Sequence, residues 1–312
     1  MIRTIIEAPS TLCIYDHSTT KQTYELLQRI NNSCLQRGEY ITLDLSKVDN
    51  VTAAASVLLF ATINTCQLMS GNPNTVKCIF PKADRNPVGH RYIVKTGLSK
   101  ALLAGSFDKI EALNESQNYY QTGVDPLKLL MVTVDLFNKN LPSQQTDILI
   151  SGIGEAMLNV IHHAYKKSGS NTEIDPVKID IVDSLGERWW QCAWYDESEE
   201  SWTFIICDIG LGIAQTYLRD MSVIGSALPL QMALSEALTG GNSRFIGSGR
   251  GNGSEDMKRP VDDSAKEELL IYSSGYKYQY NSSFRQGQVV PLGLFFHGTL
   301  VQWTLCADCL GG

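Results

Sequence analysis

The sequence predicts an α/β protein in two parts. These are a small α/β domain over residues 1–108 and an α/β sandwich over residues 125–312, with a connector at 109–124. Three observations predict it. Up to residue 108, short β-rich runs alternate with helical patterns, which places helices on a small sheet. After residue 125, two helical patterns come first and strand patterns follow, the arrangement of a mixed, mostly antiparallel sheet with helices on one face. Between the two parts, the run FDKIEALNESQNYYQTG is polar and aperiodic, as a connector would be.

Within the first part, residues 2–15 hold one or two short apolar strands. A helix is expected over 19–37, with Tyr24, Leu26, Leu27, Ile30 and Cys34 on one side and Gly38 as its stop. YITLDLSKV (40–48) alternates and is rich in β-formers, so it reads as a strand. Residues 53–69 are apolar almost all round, the pattern of a buried helix, closed by Ser70-Gly71-Asn72-Pro73. A strand over 75–81 and short helices over 88–94 and 98–103, around Gly97, complete the part.

In the second part, Asp125-Pro126 supplies an N-cap and a favourable first helical residue for a helix over 126–138. Leu141-Pro142-Ser143 separates it from a long helix over 144–167. Strands are expected at 176–182, 189–195 and 202–207, the last two joined by the acidic turn DESEES. Residues 214–246 form a long excursion with one amphipathic piece, 228–238, and are read as a lid. A polar helix over 254–268, a strand or hairpin over 268–280 turning at Ser273-Ser274-Gly275, and a last strand over 298–305 end the pattern.

Composition narrows the function classes. A hydrophobic content of 43% with 19% charged residues describes a globular chain. The net charge of −7 leaves no general basic footprint for nucleic acid. No apolar run approaches the ~18 residues of a membrane span, and MIRTIIEAPSTLC lacks the pattern of a cleaved signal. No membrane association and a cytoplasmic location are the expectation. Most of the eight cysteines lie in apolar runs, as reduced buried thiols do. Cys306-Ala-Asp-Cys309 stands apart as a single CxxC, a weak metal or redox signal.

The chemistry gathers around GIGEAMLNVIHHAY (152–165). Spaced i, i+4 and i+8, Glu155, Asn159 and His163 share one helical face beside an apolar stripe. A carboxylate, an amide and an imidazole in that position either meet a ligand or remain solvated. CDIGLGI (207–213) follows a strand directly. Asp208 there can accept from an exocyclic amine, and Gly210 and Gly212 let backbone approach a flat base. Gly247, Gly249, Gly251 and Gly253 alternate in GSGRGNGS and lead into a helix, the form of a phosphate cradle. Neither a Walker A loop nor a dinucleotide-binding fingerprint is present.

Two resemblances follow from these residues. VDNVTAAASVLLFA, after the strand ITLDLSK, resembles the core of a STAS domain, the anti-sigma-factor-antagonist fold. Thr52, Ala53, Ala54 and Ala55 stand where that family carries its phosphorylated serine, and Ser56 falls a few positions late, so a docking role without the phospho-switch is implied. Residues 125–306 resemble the GHKL ATPase (Bergerat-fold) superfamily, with E-A-x-x-N-x-x-x-H-A-Y closest to the anti-sigma-factor serine kinases and histidine-kinase-like ATPase domains. The resemblance implies ATP and Mg²⁺ as cofactors, with Asn159 as magnesium ligand and Glu155 as catalytic base. It implies Asp208 as the adenine acceptor, with Gly210 and Gly212 beside it. Gly247, Gly249, Gly251 and Gly253 would wrap the phosphates, Arg250 would contact one, and Gly298-Thr299 would support the adenine. His163, His17 and His90 are read as structural.

There are departures from the family pattern. Asn252 and Ser254 replace apolar residues, and no transducer domain with a γ-phosphate lysine follows the last strand. The expected function is a Mg·ATP-binding regulator with ATPase or protein serine/threonine kinase activity in a partner-switching or signalling system. The alternative is an ATP-gated interaction module with little turnover. The implied partner is a protein of STAS or sigma-factor-like type, with homodimerisation an open alternative.

Overall fold

The longest apolar run of the chain becomes the centre of the first of two compact units. The computed structural model describes residues 3–137, 143–165, 183–196, 200–221, 228–239, 253–262, 266–283 and 287–306. One unit comprises Met1–Thr122, Asp180–Gly186 and Trp190–Cys192; the other comprises Gly123–Ile179, Glu187–Trp189 and Ala193–Gly312.

The first unit contributes strands β1 (Thr4–Glu7), β2 (Thr11–Leu12), β3 (Ile41–Asp44), β4 (Asn50–Val51), β5 (Val76–Ile79) and β6 (Tyr120–Gly123). A three-stranded sheet runs in the order β1-β3-β5, and both pairings are parallel. A second parallel pair joins β2 to β4. Parallel neighbours need long crossovers, which the helices His17–Asn31 and Ala53–Met69 supply. The second of these occupies the span that its apolar pattern predicts, and all but its last residue is buried.

A helix buried on every side must satisfy its own polar side chains. Asn64 donates to the Ala104 carbonyl at 2.8 Å and accepts from the Trp190 indole N–H at 3.0 Å. Gln67 Nε2 lies 3.1–3.3 Å from the carbonyls of Pro73, Val76 and Leu102. Ser56 donates to the Ala53 carbonyl and accepts from the Tyr120 hydroxyl at 2.9 Å.

The connector expected over 109–124 is ordered structure instead. A helix spans Phe107–Glu115, with Ile110, Leu113 and Asn114 buried, and β6 follows. Its polar composition hides a set of specific partners. Asn114 donates to the Thr122 carbonyl at 3.0 Å, and Gln191 donates to Gln121 at 2.9 Å. Buried amides that pair with one another leave no apolar period in the sequence.

The second unit opens with the helices Pro126–Phe137 and Ser143–Asn159. Five further strands follow β7 (Trp189–Asp196): β8 (Ser201–Asp208), β9 (Glu268–Ser273), β10 (Tyr276–Tyr280), β11 (Gln288–Pro291) and β12 (Thr299–Cys306). Its strand order is β11-β10-β9-β12-β8-β7, and the β8–β12, β12–β9, β9–β10 and β10–β11 pairings are antiparallel. Chain assignment within β7 is divided, since Trp190–Cys192 belong to the first unit. The sequence reading omits β11, a short strand outside β10 that ends in a proline, as outer strands tolerate.

The second unit's core is aromatic. Phe137 meets Trp202 and Phe204 edge-on, with ring centres 6.0 and 5.6 Å away, and Trp303 lies beside Phe204. The Trp303 indole donates to the Met257 carbonyl at 2.7 Å, so this large side chain is buried without an orphaned N–H. Ile153 and Met157 of the long helix complete the cluster.

Two helices, Ile213–Met221 and Leu230–Ala237, occupy the described part of the expected lid. They are packed structure, because Ala214, Ala233, Leu234 and Leu238 are buried in the same core. Tyr217 also donates to Glu236 at 3.1 Å, tying one helix to the other. The rest of the lid (222–227 and 240–246) and the strand expected at 176–182 lie outside the described residues.

Candidate functional site

Strand register builds the site. Thr299, the first residue of β12, is paired with Asp208, the last of β8, and on its other side with Ser273, the last of β9. Three strand ends therefore bring Asp208, Thr299 and Ser273 into one row. All three are buried, at 5%, 8% and 0% exposure, so each polar side chain needs a partner inside.

The loop after β8 folds back over this row. Asp208 Oδ1 accepts from the Gly210 N–H at 2.7 Å, an Asx-type turn that starts the loop. The Ile209 N–H donates to the Tyr165 hydroxyl at 3.2 Å, and that hydroxyl donates to the Arg188 carbonyl at 2.6 Å. The Leu211 N–H donates to the Ala164 carbonyl at 2.9 Å. The Ile213 N–H donates to Ser273 Oγ at 2.8 Å. Besides the local Asp208 turn, three contacts thus fasten residues 209–213 to the end of the long helix on one side and to β9 on the other.

Glycine is required at both predicted positions, for reasons internal to the protein. A Cβ at Gly210 would lie 2.3 Å from the Ala164 carbonyl oxygen. Gly212 adopts φ +87°, and a Cβ there would lie 2.8 Å from Ser273 Oγ and 2.9 Å from the Gly298 carbonyl. Gly298 is also left-handed, at φ +81°, and a Cβ on it would lie 2.1 Å from the Asp208 carbonyl oxygen. The Gly-Thr pair and the Asp-Ile-Gly-Leu-Gly loop are therefore fitted to each other.

The long helix carries the remaining chemistry. Glu155, Asn159 and His163 are all half-buried. After Asn159 the helix changes to a π turn over Val160–Ala164, which shifts His163 from the i, i+4, i+8 register expected of a continuous α-helix. That turn ends at Ala164, the residue on which Gly210 and Leu211 rest. At the other end, the Glu155 carboxylate lies against Gly253, where a Cβ would fall 2.1 Å from Oε1. Gly152 allows the close approach of the Gly253–Lys258 helix, since a Cβ on it would lie 3.1 Å from the Asp256 carbonyl.

The predicted residues thus fall into two groups joined by one helix. Asp208, Gly210, Gly212 and Thr299 meet at its C-terminal end; Glu155 and Gly253 meet nearer its middle. Ala164 is nine residues beyond Glu155, a separation of roughly 13 Å along a helix. Asn159 lies between the two. Gly247, Gly249, Arg250 and Gly251 lie outside the described residues, as does Cys309. No group of three or more potential metal ligands of the His, Cys, Asp and Glu type occurs among the described residues.

Two residues carry no site role in the sequence reading, although Tyr165 ends the matched helix motif and Ser273 falls in the expected turn. Ser273 joins the 209–213 loop to β9, and Tyr165 bridges that loop to Arg188. The Tyr165 phenol is held well above its ordinary range, first by burial and then by the Asp208 charge. Its neutral hydroxyl can therefore both donate and accept. A buried serine closing an apolar strand, ELLIYS, is the one available sequence signal for Ser273.

No protein-family model matches the chain, and a search of curated proteins found no match.

Proposed function

We propose that the protein binds Mg·ATP at this site and acts as a regulator with ATPase or protein serine/threonine kinase activity. One observation carries the reading: Asp208 and Thr299 share a strand-end row whose covering loop is fastened to the helix bearing Asn159 and Glu155. In this reading, Asp208 accepts from the exocyclic amine of the base, with Thr299 beside it. The half-buried Asn159 offers a hard amide oxygen that suits Mg²⁺. When bound, Mg²⁺ would neutralise negative charge on the phosphates. Glu155 holds a carboxylate roughly 13 Å from the Ala164 end of the helix, a separation that suits the base and the terminal phosphate at opposite ends of one nucleotide. There it can take a proton from water or from a protein hydroxyl.

Calorimetry with ATP and Mg²⁺ tests the binding step. Saturable binding to the wild type is expected, with loss of about ten-fold or more in Asp208→Ala and Asn159→Ala. No binding to the folded wild type would reject the reading. Release of γ-phosphate and phosphotransfer, compared between wild type and Glu155→Ala, test the chemistry. Binding without turnover above background would assign the protein to an ATP-gated interaction module.

A further inference from the structure

Residues 82–100 of the first unit invert the charge balance of the chain. Overall, 33 Asp and Glu outnumber 26 Lys and Arg, yet this stretch holds Lys82, Arg85, Arg91, Lys95 and Lys100 against Asp84 alone. All five cations are exposed. Elsewhere in this unit, Lys21, Arg37 and Lys47 have carboxylates within 4 Å, in the pairs Lys21–Glu25, Arg37–Glu39 and Lys47–Glu7, whereas Arg29, Lys77 and Lys109 are exposed singly. None of these five cations has such a pair among the described residues.

Helical geometry puts part of this charge on one face. The turn Pro87–His90 runs directly into Arg91–Lys95. Gly89 and Ile93 form its inner side: Ile93 is fully buried, and a Cβ at Gly89 would lie 1.9 Å from the Val48 carbonyl. Val88, Arg91 and Lys95 therefore face outward at intervals of about one turn. Arg91 rests over the Tyr92 ring at 5.3 Å, which fixes the direction of its guanidinium. Val88 is 45% exposed among these cations.

We propose that the Val88–Arg91–Lys95 face, in a stretch that also carries the exposed Lys82, Arg85 and Lys100, is a docking surface for an acidic segment of a partner protein. The cations are complementary in charge to carboxylates, and the exposed Val88 and Pro87 can take an apolar side chain, which a phosphate backbone does not offer. The net charge of −7 also opposes a long polyphosphate more than a short acidic segment. The proposal is independent of the nucleotide reading.

The test uses the full chain and a fluorescein-labelled peptide in which glutamate pairs alternate with leucine. A peptide with every glutamate replaced by glutamine and a thymidine oligonucleotide serve as comparisons, all read by fluorescence anisotropy. The acidic peptide is expected to bind, to weaken as salt rises, and to lose about ten-fold in affinity in R91E/K95E. K21E, which alters a paired cation elsewhere, should stay within about two-fold of wild type. R91Q/K95Q, with circular dichroism on both double variants, supplies the comparison if charge reversal disturbs folding. Absence of binding, equal binding of the glutamine peptide, unchanged affinity in both double variants, or tighter binding of the oligonucleotide would overturn the proposal.

Discussion

Gly210 is where local conformation and the site are least separable. Its missing side chain is occupied by the Ala164 carbonyl, a backbone atom that cannot rotate away. We expect Gly210→Ala to cost about 2 kcal/mol or more of stability, measured by urea unfolding. Under the proposed function it should also weaken nucleotide binding. Tyr165→Phe acts differently, because it removes one donor and one acceptor without adding volume. The raised phenol pKa sets the sign of its pH dependence. Below about pH 10 the unfolded chain and the folded protein both hold the proton, and the wild type keeps its full advantage. Above it, the unfolded tyrosine ionises while the folded one resists, so that advantage declines. The stability difference between wild type and Tyr165→Phe should stay constant below about pH 10 and shrink as pH rises above it; a difference that does not change above that pH would count against a buried neutral hydroxyl.

Elements differ in how openly their sequences declare them, and the reason is where their partners lie. The Ala53–Met69 helix is legible because sixteen consecutive buried positions leave no polar face to mislead. The antiparallel run of β7, β8 and β12 is legible from β-branched and aromatic residues. By contrast, Phe107–Glu115 and β6 read as connector because Asn114, Gln121 and Thr122 are buried through hydrogen bonds to particular groups. The site divides in the same way. Asp208, Gly210 and Gly212 stand out as a motif, whereas Ser273 acts on Ile213 from 60 residues away. The same logic makes Asn64 vulnerable. Asn64→Ala would orphan the Trp190 indole N–H and the Ala104 carbonyl, at a cost of about 2–3 kcal/mol. Urea unfolding followed by tryptophan fluorescence measures it, and a loss below about 0.5 kcal/mol would show that other groups satisfy both atoms.

The whole molecule is divided in space differently from the way it is divided in sequence. The first unit extends to Thr122, beyond the expected boundary at 108, and also includes Asp180–Gly186 and Trp190–Cys192. A fragment ending at residue 122 would therefore keep Asn64 and Gln121 while lacking Trp190 and Gln191. We expect that fragment to unfold at lower urea than the same unit in the full chain and to bind a hydrophobic dye. A fragment matching the full chain in both respects would mean that the later segments add nothing to the first unit.

Protein synthesis meets this arrangement in one direction only. The residues from 123 to 179 must be synthesised before the segments that complete the first unit are made. At ordinary elongation rates that is a wait of several seconds. During it, the amides of Asn64 and Gln121 have no Trp190 or Gln191 to meet. Most of the first unit is thus translated well before its last segment, Trp190–Cys192, exists to complete it.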